Sequence, residues 1–167
     1  MIVSNTTVLI FLSKINKLDL LEKLFKIVLI PEEVKREAVD KGKERNYIDA
    51  NQIEKAINEK WIKVESVKIE PIIENLNIDK GELEAISLAY QKKVKLLVDQ
   101  AHARDAAKLL KIMPRGTIYV LFLALSKGLI NYEEYMDYLE QLINHGFRMS
   151  EEVYLNAVKM GKEFERR

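Results

Sequence analysis

Acidic and amide side chains stand at four separate points of this sequence, each beside a short apolar run. Asn5 follows Ile2-Val3, Glu37 lies within IPEEVKREAV, Glu82 opens GELEAISLA, and Asp99 ends KLLVD. Carboxylate and amide oxygens are hard ligands of the type that Mg²⁺ and Mn²⁺ prefer. Such ions activate water and stabilise the leaving oxygen in phosphodiester hydrolysis. We therefore predict a divalent-metal site if the fold brings these four side chains together.

The helix predicted around Glu37 sets the direction of its carboxylate. At about 100° per residue, Val34, Glu37 and Ala38 share one helix face, so the carboxylate lies beside apolar neighbours. The alternative is an ordinary surface glutamate, because its neighbours in EEVKRE are mostly charged. Both interpretations stay open at the level of the sequence.

Two glutamates in KGELEAISLA compete for the role of ligand. Glu82 aligns with the apolar stripe that contains Ala85 and Ile86, at the start of a predicted helix, whereas Glu84 lies nearly opposite. We therefore prefer Glu82 as a ligand and keep Glu84 as the second candidate. The alternative for Glu82 is electrostatic, since an acid in the first turn complements the helix dipole.

Asp99 directly follows the buried run Leu96-Leu97-Val98 and precedes Gln100. An aspartate at this position either caps the helix that starts near Ala101 or binds a metal or phosphate. Basic side chains further along could hold a phosphodiester by its backbone, the alternative being a solvated helix surface. These candidate nucleic-acid contacts are His102, Arg104, Lys108 and Arg115.

Composition restricts the class of protein. The chain has 167 residues, enough for one domain or for one domain with an appendage. Its net charge is +1, from 27 basic and 26 acidic side chains, so any contact with nucleic acid must be local. There is no cysteine, which excludes disulfides and thiolate metal sites and favours a cytoplasmic location. We find no signal peptide and no apolar stretch of membrane-spanning length.

Short apolar runs alternate with helical patterns, which predicts a parallel sheet with helices on both faces, a three-layer α/β/α fold. Strands are predicted at Ile2–Ser4, Ile27–Ile30, Trp61–Glu65 and Lys95–Asp99, with a weaker one near Ile112-Met113. Helices are predicted at Thr7–Ile15, Asp19–Phe25, Pro31–Asp40, Tyr47–Asn58, Asp79–Lys92, His102–Lys111 and Thr117–Lys127. Two further helices, Tyr132–Asn144 and Ser150–Glu163, predict a C-terminal hairpin. In such a sheet, sites form at the carboxyl ends of the strands.

The order of these segments resembles a known family. Ser4-Asn5-Thr6 after the first strand, then IPEEVKREAV, GELEAISLA, LLVDQAHAR and GTIYVLFLALSKGLI, resemble PIN domains. These are metal-dependent nucleases with a flavodoxin-like parallel sheet, and they include VapC-type toxins. The C-terminal stretch YLEQLINHGFRMSEEVYLNAV resembles the extension of a largely uncharacterised prokaryotic branch. We accordingly divide the chain into a PIN-like domain, residues 1–130, and a helical extension, residues 131–167.

The resemblance implies a Mg²⁺ or Mn²⁺ site and an RNA substrate, with a small antitoxin protein as a partner. The implied ligands are Asn5, Glu37, Glu82 (or Glu84) and Asp99, with Thr6 and Gln100 beside them. Two positions depart from the family pattern, because relatives usually carry aspartate where this chain has Asn5 and Gln100. The site thus lacks up to two negative charges, which weakens binding of a hard cation.

Two hypotheses follow from these departures. The first is a metal-dependent ribonuclease of toxin type, favoured by the retained Glu37, Glu82 and Asp99. The second is a catalytically inactive PIN fold that binds RNA or protein, favoured by Asn5 and Gln100.

We also predict a homodimer that pairs through helices. The reason is that the helices carry more apolar side chains than one small sheet can cover. These side chains are Leu18, Leu21, Leu24, Phe25, Tyr135, Leu139 and Leu142.

Overall fold

The computed structural model describes residues 1–167 and contains one five-stranded sheet. All neighbouring strands pair in parallel, in the order β3-β2-β1-β4-β5. Because parallel strands need crossover connections, helices cover both faces. The predicted three-layer α/β/α architecture is therefore confirmed. The strands are β1 (Ile2–Ser4), β2 (Val28–Pro31), β3 (Ile62–Glu65), β4 (Leu96–Leu97) and β5 (Pro114–Arg115).

Helices connect the strands and form the C-terminal part of the chain. In chain order they are α1 (Thr6–Lys14), α2 (Asp19–Phe25), α3 (Glu32–Lys35), a π-helical turn (Arg36–Asp40), α4 (Lys41–Glu44), α5 (Ile48–Asn58), α6 (Lys80–Lys92), α7 (Ala101–Leu109), α8 (Thr117–Ser126), α9 (Tyr132–Asn144) and α10 (Glu151–Glu165). Helices α1, α2, α5, α8 and α9 build the apolar core on one face of the sheet, and α6 and α7 build the core on the other. None of the helices combines the length and apolar character that a membrane crossing needs.

The strand side chains divide between these two cores. Ile2 belongs to the first core and Val3 to the second, and Leu97 and Leu96 divide in the same way. This is the two-residue period of a pleated strand. Burial on both faces explains why the strands appear in the sequence as continuous apolar runs.

The strand order opens a crevice between β1 and β4. Strand β1 leads into α1 on one face of the sheet, whereas β4 leads into α7 on the other. Ligands of open parallel sheets bind at such a switch, outside the carboxyl ends of the strands. The sheet has the doubly wound layout of flavodoxin, but its strand order is 3-2-1-4-5, whereas the order in flavodoxin is 2-1-3-4-5.

Among the element boundaries that differ from their predicted positions, two have a clear local reason. The last strand, predicted near Ile112-Met113, lies at Pro114–Arg115. The backbone N–H of Ile112 instead donates to Ala107 O at 3.0 Å and closes the end of α7. Pro31, predicted in a first helical turn, is the last residue of β2 and precedes α3.

The helix predicted over Pro31–Asp40 contains a π-helical turn in its second half. This turn spans Arg36–Asp40 and includes Glu37. The N–H of Lys41 donates to Arg36 O, five residues back. A π-helical turn widens the helix. Such turns are rare in proteins, but those that occur are often found at functional sites. The regular 100° spacing used for Glu37 in the sequence therefore does not hold across this segment.

The C-terminal helices form the predicted hairpin and pack on α8. Tyr135 of α9 is fully buried, and its hydroxyl donates to Ala157 O of α10 at 2.8 Å. Side chains of both helices belong to the same apolar core as one face of the sheet. The division of the chain after residue 130 stays a prediction.

The reason given above for a dimer is wrong. Most of the apolar side chains that we expected at an interface are buried within this chain, because α8 and α9 cover them together with the sheet. The dimer itself stays a prediction. The buried side chains are Leu18, Leu21, Tyr135, Leu139 and Leu142, whereas Leu24 and Phe25 are half-buried.

Candidate functional site

Asn5 lies at the carboxyl end of β1 and is only 2% exposed. Its Oδ1 accepts a hydrogen bond from the backbone N–H of Val8 at 3.3 Å and so caps α1. Its Nδ2 donates to Gln100 Oε1 at 3.0 Å. Both ends of the amide are therefore bonded within the protein, and the carbonyl oxygen that the sequence offered to a cation points at a helix.

Gln100 continues this network across the crevice between β1 and β4. Its Nε2 donates to Thr7 Oγ1 at 2.6 Å. A chain of neutral hydrogen bonds thus runs from Asn5 through Gln100 to Thr7. Two carboxylates at the first two of these positions could not bond to each other in this way unless one was protonated.

Glu37 approaches the crevice from the π-helical turn. Its Oε2 accepts a hydrogen bond from Thr6 Oγ1 at 2.5 Å. A Cβ at Gly81 would lie 2.9 and 3.0 Å from the two carboxylate oxygens of Glu37, so only glycine leaves them room. Gly81 lies in the first turn of α6, where the positive end of the helix dipole favours an anion.

Glu82, the next residue of α6, forms a capping box with Asp79. Its Oε2 accepts from the backbone N–H of Asp79 at 3.3 Å. Burial raises the pKa of Glu82, and the charges of Asp79 and Glu37 act in the same direction, whereas that backbone N–H and His102 lower it. Glu37 and Glu82 are therefore close enough to repel each other, and neither takes part in a salt bridge.

Glu84, which the helix spacing places nearly opposite Glu82, is buried. Its Oε2 accepts from the backbone N–H of Glu33 at 3.1 Å, and Lys80 Nζ lies 3.6 Å from its Oε1. Helix α6 packs against the sheet on one side and against α3 on another, which leaves Glu84 no exposed face. Glu84 thereby fixes α3, and the π-helical turn that follows it, against α6.

Asp99 turns toward α8. Its Oδ1 accepts from the backbone N–H of Thr117 at 2.8 Å and its Oδ2 accepts from Thr117 Oγ1 at 2.7 Å. The capping role considered for Asp99 is thus realised at α8 and not at the helix near Ala101. Burial raises the pKa of Asp99, although the Thr117 hydrogen bonds and the charge of Arg104 lower it. A Cβ at Gly116 would lie 2.5 Å from Asp99 Oδ1, so this close approach requires glycine.

The donor set decides which metal site these residues fit. The chain holds no group of three or more His, Cys, Asp or Glu side chains that could bind an ion. Glu37 and Glu82 each use only Oε2 in a hydrogen bond, which leaves both Oε1 atoms without a protein donor. Mg²⁺ is commonly held by one or two carboxylates together with water and a substrate phosphate. The two glutamates fit that mode, whereas Asn5 and Asp99 could join the site only through the oxygen lone pairs that their capping hydrogen bonds leave free.

A groove of about 920 Å³ begins at the amide network. Thr7, Asp99 and Gln100 line its end nearest the crevice, and α1, α8 and α10 form its walls. The loop of residues 146–150 closes it on one side. The groove therefore joins the carboxyl edge of the sheet to the C-terminal helices.

The predicted basic residues divide between two surfaces. Arg104 and Arg115 line the groove, whereas His102 and Lys108 are exposed on α7 outside it. Arg104 Nη1 donates to Val98 O at 3.2 Å. The guanidinium of Arg115 lies 5.0 Å from the centre of the Tyr119 ring, and its Nε is buried with no hydrogen-bond partner.

Sequence reasoning missed the groove residues of the C-terminal half. Arg148 lies in the loop that follows α9, and Met160 lies on α10. The tetrapeptide GFRM, between two amphipathic helices, could have indicated these residues. It places an aromatic ring, a cation and a methionine in a short connection.

Comparison with known proteins gives the family. No curated protein and no solved structure matches the chain. Residues 1–163 match the family model described as DUF3368, PIN domain. The match includes the five parallel strands, the two carboxylates of the crevice and nearly all of the C-terminal hairpin. The chain therefore belongs to the PIN domain family, which places it in the nuclease superfamily.

Proposed function

We propose that this protein is a metal-dependent endoribonuclease in which Glu37 and Glu82 hold Mg²⁺ or Mn²⁺. The observation that carries the proposal is the pair of carboxylates at the crevice, oriented by Thr6 and Asp79 and without a cationic partner. Membership of the PIN family supports it, because PIN domains generally use divalent metals.

The side chains of the site have separate tasks in this proposal. Thr6 holds the Glu37 carboxylate, and Gly81 lets it approach α6. Asp79 fixes Glu82 through the capping box. Arg104 and Arg115 attract the phosphates of the RNA backbone. The ion, when bound, supplies an activated water and neutralises charge on the phosphate.

A cleavage assay tests this function directly. We expect the purified protein to cut a generic RNA in Mg²⁺ or Mn²⁺ and to lose activity in EDTA. Glu37→Gln and Glu82→Gln should each lower the rate by about 100-fold, because a ligand is lost. Glu140→Gln, which changes an exposed glutamate of α9, serves as the control. Equal rates in all four proteins would assign the activity to a contaminant and reject the proposal.

A second candidate function is a PIN fold that binds RNA without cutting it. The observation in its favour is that Asn5 and Asp99, two of the expected ligands, are both engaged in helix capping. This candidate predicts RNA binding that is equal with and without Mg²⁺ and no cleavage under any condition.

The cellular role, the protein partner and the oligomeric state are proposed from the family. We propose that the enzyme acts in the cytoplasm as a toxin-type nuclease, that a small antitoxin protein neutralises it, and that it forms a homodimer. A small reading frame that overlaps or adjoins its gene and encodes a DNA-binding protein supports the toxin role. Co-expression of that protein should abolish RNA cleavage, and unchanged cleavage would remove the antitoxin from the proposal.

A further inference from the structure

The groove beside the candidate site has a lining that is rich in hydrogen-bond donors and poor in acids. Arg104, Arg115 and Arg148 all line it, and none of them forms a salt bridge. The single carboxylate in the lining, Asp99, is already bonded to Thr117. Phosphate oxygens accept hydrogen bonds and do not donate them, so this lining matches a phosphodiester chain.

The walls of the groove are aromatic and aliphatic. Phe11, Tyr119, Phe122 and Phe147 line it, and each of these rings is half-buried, which leaves part of its surface in the groove. Unpaired bases stack on such rings and on guanidinium planes, and this stacking contributes about 1–3 kcal/mol per base. A paired duplex keeps its bases stacked inside and offers nothing to these walls.

The position of the groove connects it to the chemistry. Thr7 and Gln100 belong both to the groove and to the amide network at the crevice, and Thr6 on the other side binds Glu37. An RNA strand with a phosphate at Glu37 and Glu82 can therefore continue into the groove without leaving the protein surface. One whole wall is built by α10 and the loop before it.

We propose that the C-terminal helices form a binding wall for a single-stranded RNA segment next to the cleavage point, with bases against the aromatic walls and phosphates at the three arginines. The path of the strand, from a phosphate at Glu37 and Glu82 into the groove, rests on the proposed function. It gives the C-terminal hairpin a task in substrate selection, in addition to its packing on α8.

The test measures RNA binding in EDTA, so that it does not depend on cleavage. The probe is a labelled single-stranded RNA of about twelve nucleotides, within the span that such grooves bind. Fluorescence anisotropy is recorded for the parent and for Met160→Glu, whose side chain is 44% exposed on the groove side of α10. The matched control is Leu155→Glu, on the same helix but outside the groove and 63% exposed. Thermal unfolding verifies that both variants fold.

We expect Met160→Glu to weaken binding about tenfold, through repulsion of phosphate and loss of apolar contact, and Leu155→Glu to change it less than twofold. Arg148→Gln should lower the slope of log K against log salt by about 0.7, one phosphate contact to a single strand. Arg45→Gln, an exposed arginine after α4, should leave that slope unchanged.

Three outcomes would overturn the inference. One is equal binding by the parent and Met160→Glu, and another is tighter binding of a duplex of the same length. The third is binding of an acidic amphipathic peptide, and not of the RNA, to the parent and to Leu155→Glu but not to Met160→Glu, which would assign the groove to a protein partner. Groove-dependent binding without any cleavage would reject the nuclease and keep the binding wall. Cleavage at the same rate by the parent, Met160→Glu and Arg148→Gln would keep the nuclease and reject the binding wall.

Discussion

The side-chain amide of Asn5 donates a hydrogen bond to Gln100 Oε1 at 3.0 Å, across the crevice between β1 and β4. The two positions at which the resemblance led us to expect aspartate are therefore in direct contact. A neutral pair can form this bond, whereas two carboxylates would repel each other unless a cation or a proton lay between them. The two departures are thus one structural change, and they should be tested together.

Restoring acid at these two positions should restore metal affinity. In Asn5→Asp, one new oxygen can keep the bond from Val8 N–H, and Gln100 can rotate its amide to donate to the other. A carboxylate about 4 Å from a divalent ion gains around 4 kcal/mol per unit charge at an effective dielectric of about 20, before desolvation and repulsion are subtracted. After that subtraction, we expect Asn5→Asp to bind Mn²⁺ about tenfold more tightly than the parent, as measured by calorimetry.

Asn5→Asp combined with Gln100→Asp should bind Mn²⁺ more tightly still, and RNA cleavage should rise in the same order. Equal affinity in all three proteins would show that these positions do not face the ion. Higher affinity without cleavage would favour the binding function over the nuclease.

Gly81→Ala should separate metal binding from stability. The new Cβ would lie 2.9 Å from an oxygen of Glu37, and that oxygen ends a flexible side chain that can move aside. Alanine also favours the helix by about 1 kcal/mol relative to glycine. We therefore expect an unchanged or higher melting temperature together with weaker Mn²⁺ binding. In a Glu37→Gln background the substitution should have no further effect on the ion, and an additional loss there would contradict the assigned contact.

Glu82 should make stability depend on pH. Burial raises its pKa in the folded protein, so the folded state binds this proton more tightly than the unfolded state does. This contribution to the free energy of unfolding is present at low pH and is lost as the pH rises through the raised folded pKa. Glutamine still satisfies a capping box. In urea titrations Glu82→Gln should therefore flatten the loss of stability that the parent shows as the pH rises above the ordinary pKa of a glutamate.

Added Mg²⁺ should also offset that loss in the parent, because the cation stabilises the ionised form of Glu82. It should have no such effect on Glu82→Gln. Identical pH profiles for the two proteins would show that burial does not raise the pKa of Glu82 in the folded protein.

Tyr135 should link the C-terminal hairpin to the stability of the whole chain. Its hydroxyl donates to Ala157 O at 2.8 Å, and burial raises the pKa of Tyr135 to about 12. Tyr135→Phe removes this bond and should lower the free energy of unfolding by about 1 kcal/mol in a single transition. Tyr132→Phe, on the same helix and half-buried, is the control and should cost less than about 0.5 kcal/mol. Two separate transitions would instead support the division of the chain after residue 130.

The predicted homodimer now depends on the family alone, since the apolar side chains proposed for its interface are buried within one chain. We still expect light scattering to give the mass of a dimer at concentrations of tens of micromolar. A mass of one chain under those conditions would remove the dimer from the description of this protein.

The sequence by itself determined the architecture and indicated the edge of the sheet at which to look for a site. Period and composition are local properties, so the alternation of apolar runs with helical patterns was sufficient to predict a parallel sheet and the terminal hairpin. Because the carboxyl ends of parallel strands meet at one edge, Asn5 and Gln100 could be expected to lie near each other. In the structure the two side chains are in contact.

Only the tertiary structure decided what each polar side chain does there. A carboxylate binds whichever donor the fold brings within reach, and sequence spacing does not record that distance. Asp99 therefore caps α8, whose first residue lies eighteen positions further along the chain, and Glu84 bonds to Glu33 N–H instead of to solvent. The groove has the same origin, because α1, α8 and α10 come together only when the hairpin folds back on the sheet.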